Sequence, residues 1–417
     1  MITPDRCRVC GDGPIEVLSL GTHYVSNFML PEEPDGLRAP LDLVLCTRCH
    51  LLQLRHTVPA DALYRNYWYR SGTNKTMREA LADIAEKAEE LVHLEQGDPV
   101  LDIGCNDGTL LAAYRTQGVV RIGFDPAENL APLSRQVADH VVVGYFEAEA
   151  YRSNTALRGH QPKLITSIAM FYDLEDPNQF VEDVKAVMHP EGVWILQMSY
   201  LPLMLKHNEI GNVCHEHLEY YSLLSFEYLL EKHGMELVDV ELNSVNGGSF
   251  RSYVRLRGAD ERTFGDATYR LLARERVQAL REHEAKLRLD QPKPYEEFAF
   301  RVNRIKHDVV EFIGNQVRTG KRVYVYGAST KGNTLLQYFG LDASLITAAA
   351  ERNPEKWGRV TVGTRIPIVS EDEARRARPD FFLVLPWHFL DEFIERESNY
   401  LMSGGRFIVP MPYFTLV

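Results

Sequence analysis

Val100-Leu101-Asp102-Ile103-Gly104-Cys105-Asn106-Asp107-Gly108-Thr109-Leu110-Leu111 decides the fold. The apolar run that enters it suits a buried parallel strand. Two glycines with three residues between them follow, and then an apolar helix start. Glycines in such a turn let backbone come close to a ligand where a side chain would collide. Asp102 stands at the strand end, where open α/β sheets bind ligands. Val119 to Phe124 reads as a second strand, and Asp125 lies at its carboxyl end. An acid placed there hydrogen-bonds ribose hydroxyls in dinucleotide-binding folds.

The spelling is not G-x-G-x-x-G, so no pyrophosphate cradle is implied here. Asp102-x-Gly104-x-x-x-Gly108 followed by Asp125 resembles the S-adenosylmethionine site of Rossmann-like methyltransferases. The resemblance implies that Gly104 and Gly108, with Cys105 and Asn106, approach the amino acid part of the cofactor, and that Asp125 takes the ribose. The alternative is a plain βα turn with incidental glycines.

Working outward, Lys163 to Met170 reads as a central strand, with Met170 and Asp173 leaving its carboxyl end. A helix from about Pro177 to Met188 and a strand from Gly192 to Met198 continue the pattern. Met235–Val245, Asn246-Gly247-Gly248-Ser249 and Phe250–Leu256 read as a closing hairpin, which fits the methyltransferase version of the fold. Upstream, Tyr64-Arg65-Asn66-Tyr67-Trp68-Tyr69-Arg70-Ser71-Gly72-Thr73-Asn74 is dense in aromatic and hydroxyl groups. It suits either an inter-domain hinge or a flap that brings Tyr67, Tyr69 and Ser71 to a pocket.

At the amino end, Cys7-x-x-Cys10 and Cys46-x-x-Cys49 are spaced to grip one Zn²⁺ as a closed tetrahedral structural site. A redox role is the competing reading; two pairs without a thioredoxin-like pattern argue against it. The chain has 46 Lys and Arg against 58 Asp and Glu, a net charge of −12. That disfavours a nucleic-acid footprint, which needs clustered cations. No apolar run approaches the ~18 residues of a membrane span, and no signal segment opens the sequence, so a cytoplasmic enzyme without membrane attachment is expected. Oligomeric state is left open, a monomer included.

Cys214-His215-Glu216-His217-Leu218-Glu219-Tyr220-Tyr221-Ser222 carries the second constellation. His217 suits a general base near neutral pH, with Glu216 as partner or as base itself. A metal site and a structural loop of satisfied histidines are the competing readings; the H-E-x-x-H spacing is absent. In the last third, Arg322–Tyr326 reads as a strand. Gly327-Ala328-Ser329-Thr330-Lys331-Gly332 reads as a turn opening a helix. Asp266 to Leu289 is highly charged and reads as an exposed helix.

Together these motifs resemble the nucleotide-sugar C-methyltransferases that make branched-chain deoxysugars for antibiotics and surface polysaccharides. The order is two Cys-x-x-Cys pairs, the aromatic flap, Asp-x-Gly-x-x-x-Gly, His-Glu-His, Asn-Gly-Gly-Ser and Tyr-Gly-Ala-x-x-Lys-Gly. The resemblance implies an α/β protein of three parts. A zinc module spans 1–62, a Rossmann-like methyltransferase domain 63–258, and a second Rossmann-like domain 259–417 helps bind the nucleotide sugar. It implies methylation next to the ketone of a 4-keto-6-deoxy sugar, at C-3 or C-5. His217 matches the family's base and Glu216 its carboxylate partner, with His215 beside them. Tyr67, Tyr69, Asp173, Tyr221, Asn246, Ser249 and Lys331 are the expected substrate contacts. In two places the chain departs from the family: Cys214 stands where it has tyrosine, and Asp173 where some members carry histidine. Two other functions stay open on the sequence: an NAD(P)-dependent oxidoreductase using the Gly327–Gly332 turn, and a non-enzymatic zinc-containing adaptor.

Overall fold

The computed structural model describes residues 6–64 and 67–417; residues 1–5, and Arg65 and Asn66 of the flap, lie outside the described residues. Its amino-terminal part is an antiparallel sheet of β1 (Ile15–Tyr24), β2 (Arg38–Leu45) and β3 (Leu52–Leu54). The cysteine pairs stand at one end of it. The chain then crosses the flap into α1 (Lys75–Leu91), which Asn74 caps by accepting from Thr76 N–H.

The central sheet has seven strands. They are β4 (Pro99–Ile103), β5 (Val120–Asp125), β6 (His140–Val143), β7 (Leu164–Ile168), β8 (Val193–Ser199), β10 (Met235–Asn243) and β11 (Ser249–Leu256). Their order is β10-β11-β8-β7-β4-β5-β6. All pairs are parallel except those made by β11. Every residue of β4 is buried, as its apolar run requires of a strand covered on both faces. The direction of winding reverses between β4 and β7, and a crevice opens at their carboxyl ends. α2 (Pro177–Val187) starts on an Asp176 cap with proline in its first turn.

The expected helix after Gly108 is only a single tight turn, Leu111–Ala113. The chain re-enters the sheet at Val120, which leaves little length for more. The hairpin forms as expected, and Ser222 opens α3 (Leu223–Lys232) with a capping box to Ser225.

One short strand ties the parts together. β9 (Glu219–Tyr220) leaves the loop that follows β8 and pairs with β3, extending the amino-terminal sheet to β1-β2-β3-β9. The helix expected to be exposed, α4 (Ala267–Leu287), is exposed along most of its surface and docks on the central domain through one stripe of Ala273, Val277, Leu280 and Glu284. Arg276 forks onto buried Asp239, and buried Glu284 accepts from Tyr200 Oη and from the first amides of α3. Most of the helix's other charged side chains, Arg274, Glu275, Glu282 and Lys286 among them, are exposed as expected. α5 (Lys293–Arg318) then leads to the third sheet.

That sheet is β14-β13-β12-β15-β16-β17, from β12 (Val323–Tyr326), β13 (Ala348–Glu351), β14 (Ile368–Ser370), β15 (Phe381–Val384), β16 (Arg406–Val409) and β17 (Thr415–Leu416). It is parallel except for its last pair. α6 (Thr330–Phe339) follows β12, capped by Ser329. Its turn, residues 329–332, lines the crevice from the side opposite the β4 tip. Among the described residues no helix is long and apolar enough to cross a membrane.

Candidate active site

The crevice at the β4 and β7 tips is a cavity of about 680 Å³. Its floor is the glycine turn after β4. Gly104 adopts φ +78° and lines the cavity, and a side chain there would press on Met170. Asp125 ends β5 with its two carboxylate oxygens accepting from Asn106 N–H at 2.7 Å and Ala127 N–H at 2.8 Å. These bonds aim the carboxylate while each oxygen keeps acceptor capacity for a diol. Burial raises the Asp125 carboxyl from its ordinary value, and its two backbone bonds oppose this. Asp102 accepts from Thr166 Oγ1 at 2.6 Å, and burial pushes its carboxyl up to about 7.

The aromatic flap forms the cavity's outer wall. Ser71 N–H donates to Asn106 Oδ1 at 3.0 Å, Gly72 N–H to Asp107 Oδ2 at 2.8 Å, and Asn106 Nδ2 returns a bond to Tyr69 O at 3.1 Å. Any side chain at Gly72 would meet Asp107 at 2.9 Å. The flap is therefore clamped to the glycine turn, and Tyr67, Tyr69 and Ser71 face the cavity. An acid at the β5 tip, apolar walls at Phe124, Phe146 and Ile168, and the open Gly104 turn fit S-adenosylmethionine. When bound, that cofactor supplies a sulfonium methyl carbon open to displacement.

The His-Glu-His loop forms the opposite wall. Leu218 N–H donates to Tyr172 O at 2.8 Å, and Leu54 N–H from β3 donates to Leu218 O at 2.8 Å. The loop is thus pinned between the central sheet and the amino-terminal sheet. His217 Nδ1 lies 2.9 Å from Asn212 O, and its ring packs edge-on against Tyr172 at 4.5 Å. Burial, then the nearby Lys331 cation, holds His217 down at about 3, so it is neutral at physiological pH. Burial pushes Glu216 up to about 7, with Lys331 opposing. Cys214, Glu216 and His217 offer donor atoms within 4.8 Å of one another, and burial raises the Cys214 thiol.

The third domain completes the cavity. Lys331 Nζ donates to Asn212 Oδ1 at 2.5 Å, and Trp387 Nε1 donates to buried Glu209. His388 also lines the wall, held down at about 3 by burial and then by Lys331. Glu209 and His388 were not anticipated from the sequence, and neither stands in a local motif that could have flagged it; Tyr172 was not singled out, although it lies beside Asp173 in the stretch that leaves the β7 tip.

Four expected site residues do not line the cavity. Gly108, at φ +82°, is needed for packing: a side chain there would strike Val137 at 2.5 Å and the Ser134 backbone at 3.1 Å. His215 turns away and makes a 2.9 Å bond through Nε2 to Ala39 O on β2. Its carbonyl partner makes it a donor, and burial holds it down at about 4. Tyr221 is fully buried among Phe171 and Phe226. Ser249 spends its hydroxyl on Val245 O at 2.8 Å. The cavity does receive Asp102, Gly104, Cys105, Asn106, Asp125 and Met170. It also receives Asp173, Asn246 and Lys331.

At the far end of the amino-terminal sheet, the Sγ atoms of Cys7, Cys10, Cys46 and Cys49 lie within 4.8 Å of one another. The closest pairs are Cys7–Cys49 at 3.4 Å and Cys10–Cys46 at 3.3 Å. A zinc–sulfur bond of about 2.3 Å puts tetrahedral sulfurs ~3.8 Å apart, so the four thiols suit a closed zinc site. Arg8, between two of them, reaches back to the His-Glu-His loop and stands 3.7 Å from buried Glu219.

Comparison with known proteins agrees with this arrangement. Residues 7–64 match a family model described as "Putative zinc binding domain", 69–240 one described as "Methyltransferase domain", and 244–412 one described as "C-methyltransferase C-terminal domain". The chain is similar to the C-methyltransferase NovU of Streptomyces niveus, 34% identical over 412 residues, which is 98% of this chain and 96% of that protein. A ubiquinone biosynthesis O-methyltransferase of Histophilus somni is 25% identical over 142 residues, covering 32% of this chain and 58% of its own length. Among solved structures, the plantazolicin methyltransferase BpumL in complex with SAH aligns with 43% of this chain and 84% of its own, at 13% identity and a TM-score of 0.35. With a full-length relative at this identity and a methyltransferase sheet whose tips suit S-adenosylmethionine, the chain belongs to the zinc-module C-methyltransferase family and is an S-adenosylmethionine-dependent C-methyltransferase.

Proposed function

We propose that the acceptor is a nucleotide-diphosphate-linked 4-keto-6-deoxy sugar, methylated at the carbon next to its ketone, C-3 or C-5. One observation carries this reading: a neutral, buried imidazole with a free ring nitrogen faces the same cavity as the donor site. Carbon becomes nucleophilic at such a site only after losing a proton, and a ketone makes the neighbouring C–H acidic enough for imidazole to remove it.

His217 Nδ1–H is committed to Asn212 O, so Nε2 carries the free lone pair. Nε2 takes the proton from the carbon beside the ketone, and the C–H electron pair moves toward the carbonyl oxygen. Tyr172 and the loop's two backbone anchors hold the ring in place while this happens. The clamped flap keeps water from the carbanion and holds the acceptor carbon in line. Burial keeps His217 neutral and able to accept, and it destabilises the imidazolium that forms, so the ring holds the proton only weakly and gives it up readily to water when the site opens. The walls suit a bulky acceptor: they come from two domains and the flap.

Mass spectrometry of products from a panel of 4-keto sugar nucleotides tests the assignment. Gain of one methyl on carbon by at least one of them is expected. Binding of S-adenosylmethionine with no methylation of any keto sugar nucleotide would overturn it.

A further inference from the structure

The ketone oxygen of the acceptor must gain negative charge as its neighbouring carbon loses a proton. Something in the cavity must meet that charge. Hydrogen-bond donors aimed at a developing oxyanion are commonly the largest single contribution to such a step.

The cavity wall is acidic, with Asp102, Asp125, Asp173, Glu209 and Glu216 among its members. Among the described residues, Lys331 is the one Lys or Arg on it. Its position at the start of α6 suggests, from sequence, a contact to the substrate's phosphates. The side chain does something else. It leaves the third domain, crosses the domain boundary and donates a hydrogen bond to Asn212 Oδ1 at 2.5 Å. The backbone oxygen of that same Asn212 holds the His217 ring at 2.9 Å. The ammonium and the base therefore converge on one residue from two domains.

An ammonium has three donors. Among the described residues Asn212 Oδ1 is the hydrogen-bond partner of Lys331 Nζ, so two donors remain for the cavity. Meanwhile the turn itself is a poor phosphate cradle. Ser329 Oγ already accepts from Gly332 N–H at 3.0 Å, closing one of the amides a phosphate would need.

Resting on the keto-sugar reading, we infer that Lys331 is a catalytic residue: its ammonium donates to the oxygen of the enolate formed when His217 removes the neighbouring proton. In balance, the C–H bond breaks and the proton goes to His217 Nε2. The electron pair becomes the C=C bond, and the carbonyl π pair goes to oxygen, where Lys331 N–H meets it. No methyl donor is needed for this half-reaction, which reverses by return of the proton.

The half-reaction can be read alone. The full-length enzyme, saturated with S-adenosylhomocysteine, is placed in D₂O with a TDP-4-keto-6-deoxy sugar, and deuterium uptake beside the ketone is followed by NMR. Lys331→Met should slow uptake by ~100-fold or more, with KM moved less than about threefold. Lys331→Arg, keeping the cation, should recover part of the rate. Lys331→Gln serves as a second neutral variant, and S-adenosylmethionine binding by calorimetry reports that each variant is folded. Uptake at the wild-type rate in a folded neutral variant would overturn the assignment. So would a raised KM at unchanged kcat, which would make Lys331 a phosphate anchor. If the wild-type enzyme itself exchanges no deuterium, the keto-sugar reading fails and this inference with it; that pattern differs from a loss confined to the variants.

Discussion

His217 Nδ1 and Asn212 O are 2.9 Å apart, and this one contact sets which ring nitrogen keeps a free lone pair. A carbonyl only accepts, so Nδ1 carries the hydrogen and Nε2 is left basic. Burial keeps the ring neutral across the physiological range while lowering its basicity. His217→Ala should lower turnover by ~100-fold to 10⁴-fold while leaving S-adenosylmethionine affinity within about twofold. Steady-state kinetics beside calorimetry on the same preparation reads both. Unchanged turnover would remove His217 from the base role.

Asp125 should govern the donor. Its carboxylate organises the Asn106 and Ala127 amides and faces the cavity. Asp125→Ala should weaken S-adenosylmethionine binding by ~10-fold to 100-fold, the loss of one or two charge-assisted hydrogen bonds. Asp125→Asn should fall between. Equal affinity in all three proteins would place the ribose elsewhere.

Glu216 predicts an uncommon pH dependence of stability. Its folded value is raised, about 7 against 4.5. Below about 4.5 the carboxyl is protonated whether folded or not, and the shift has no effect. Between 4.5 and 7 the unfolded chain releases the proton more readily, so folding stability falls as pH rises. Glu216→Gln abolishes this term and should be more stable than wild type at pH 8, by on the order of 3 kcal/mol at 1.36 kcal/mol per pH unit. Urea unfolding at pH 4.5 and 8 measures it; a gap that does not widen with pH would contradict the burial argument. The gain would come at the expense of activity.

The zinc module should matter to catalysis at a distance. β3 pairs with β9 two residues beyond His217, and His215 is tied to Ala39 on β2. Metal analysis should find about one zinc per chain. Stripping it with a chelator should lower both thermal stability and turnover, because the loop loses one of its two anchors. Arg8→Ala, which strands buried Glu219, should reduce stability by ~3 kcal/mol without removing zinc. Full activity in zinc-free protein would show that the module does not support the loop.

Much of the central domain was legible because its strands are short apolar runs punctuated by glycines and acids. The strand beginning near Val100, the one ending at Asp125 and the closing hairpin all lie where patterning puts them. The zinc ligands were legible because their spacing alone defines the geometry. What failed was side-chain direction in irregular backbone. His215 and His217 are two apart, yet His217 N–H bonds Cys214 O in a turn, and the rings point to different domains. Gly108 looked like a ligand contact and is instead a packing site against Ser134 and Val137. Lys331, Glu209 and His388 meet across a domain boundary, 119 residues separating Lys331 from Asn212. No local pattern encodes such a meeting.

The most direct test follows the hydrogen that carbon must lose. A 4-keto sugar nucleotide deuterated at C-3 and C-5 is converted with S-adenosylmethionine by wild-type enzyme and by His217→Ala. The account predicts that the wild-type product gains one methyl and loses one deuterium from the methylated carbon, and that the variant does neither at a comparable rate. A methylated product that keeps all its deuterium would mean the methyl went to oxygen or nitrogen, and would contradict enolate chemistry at His217.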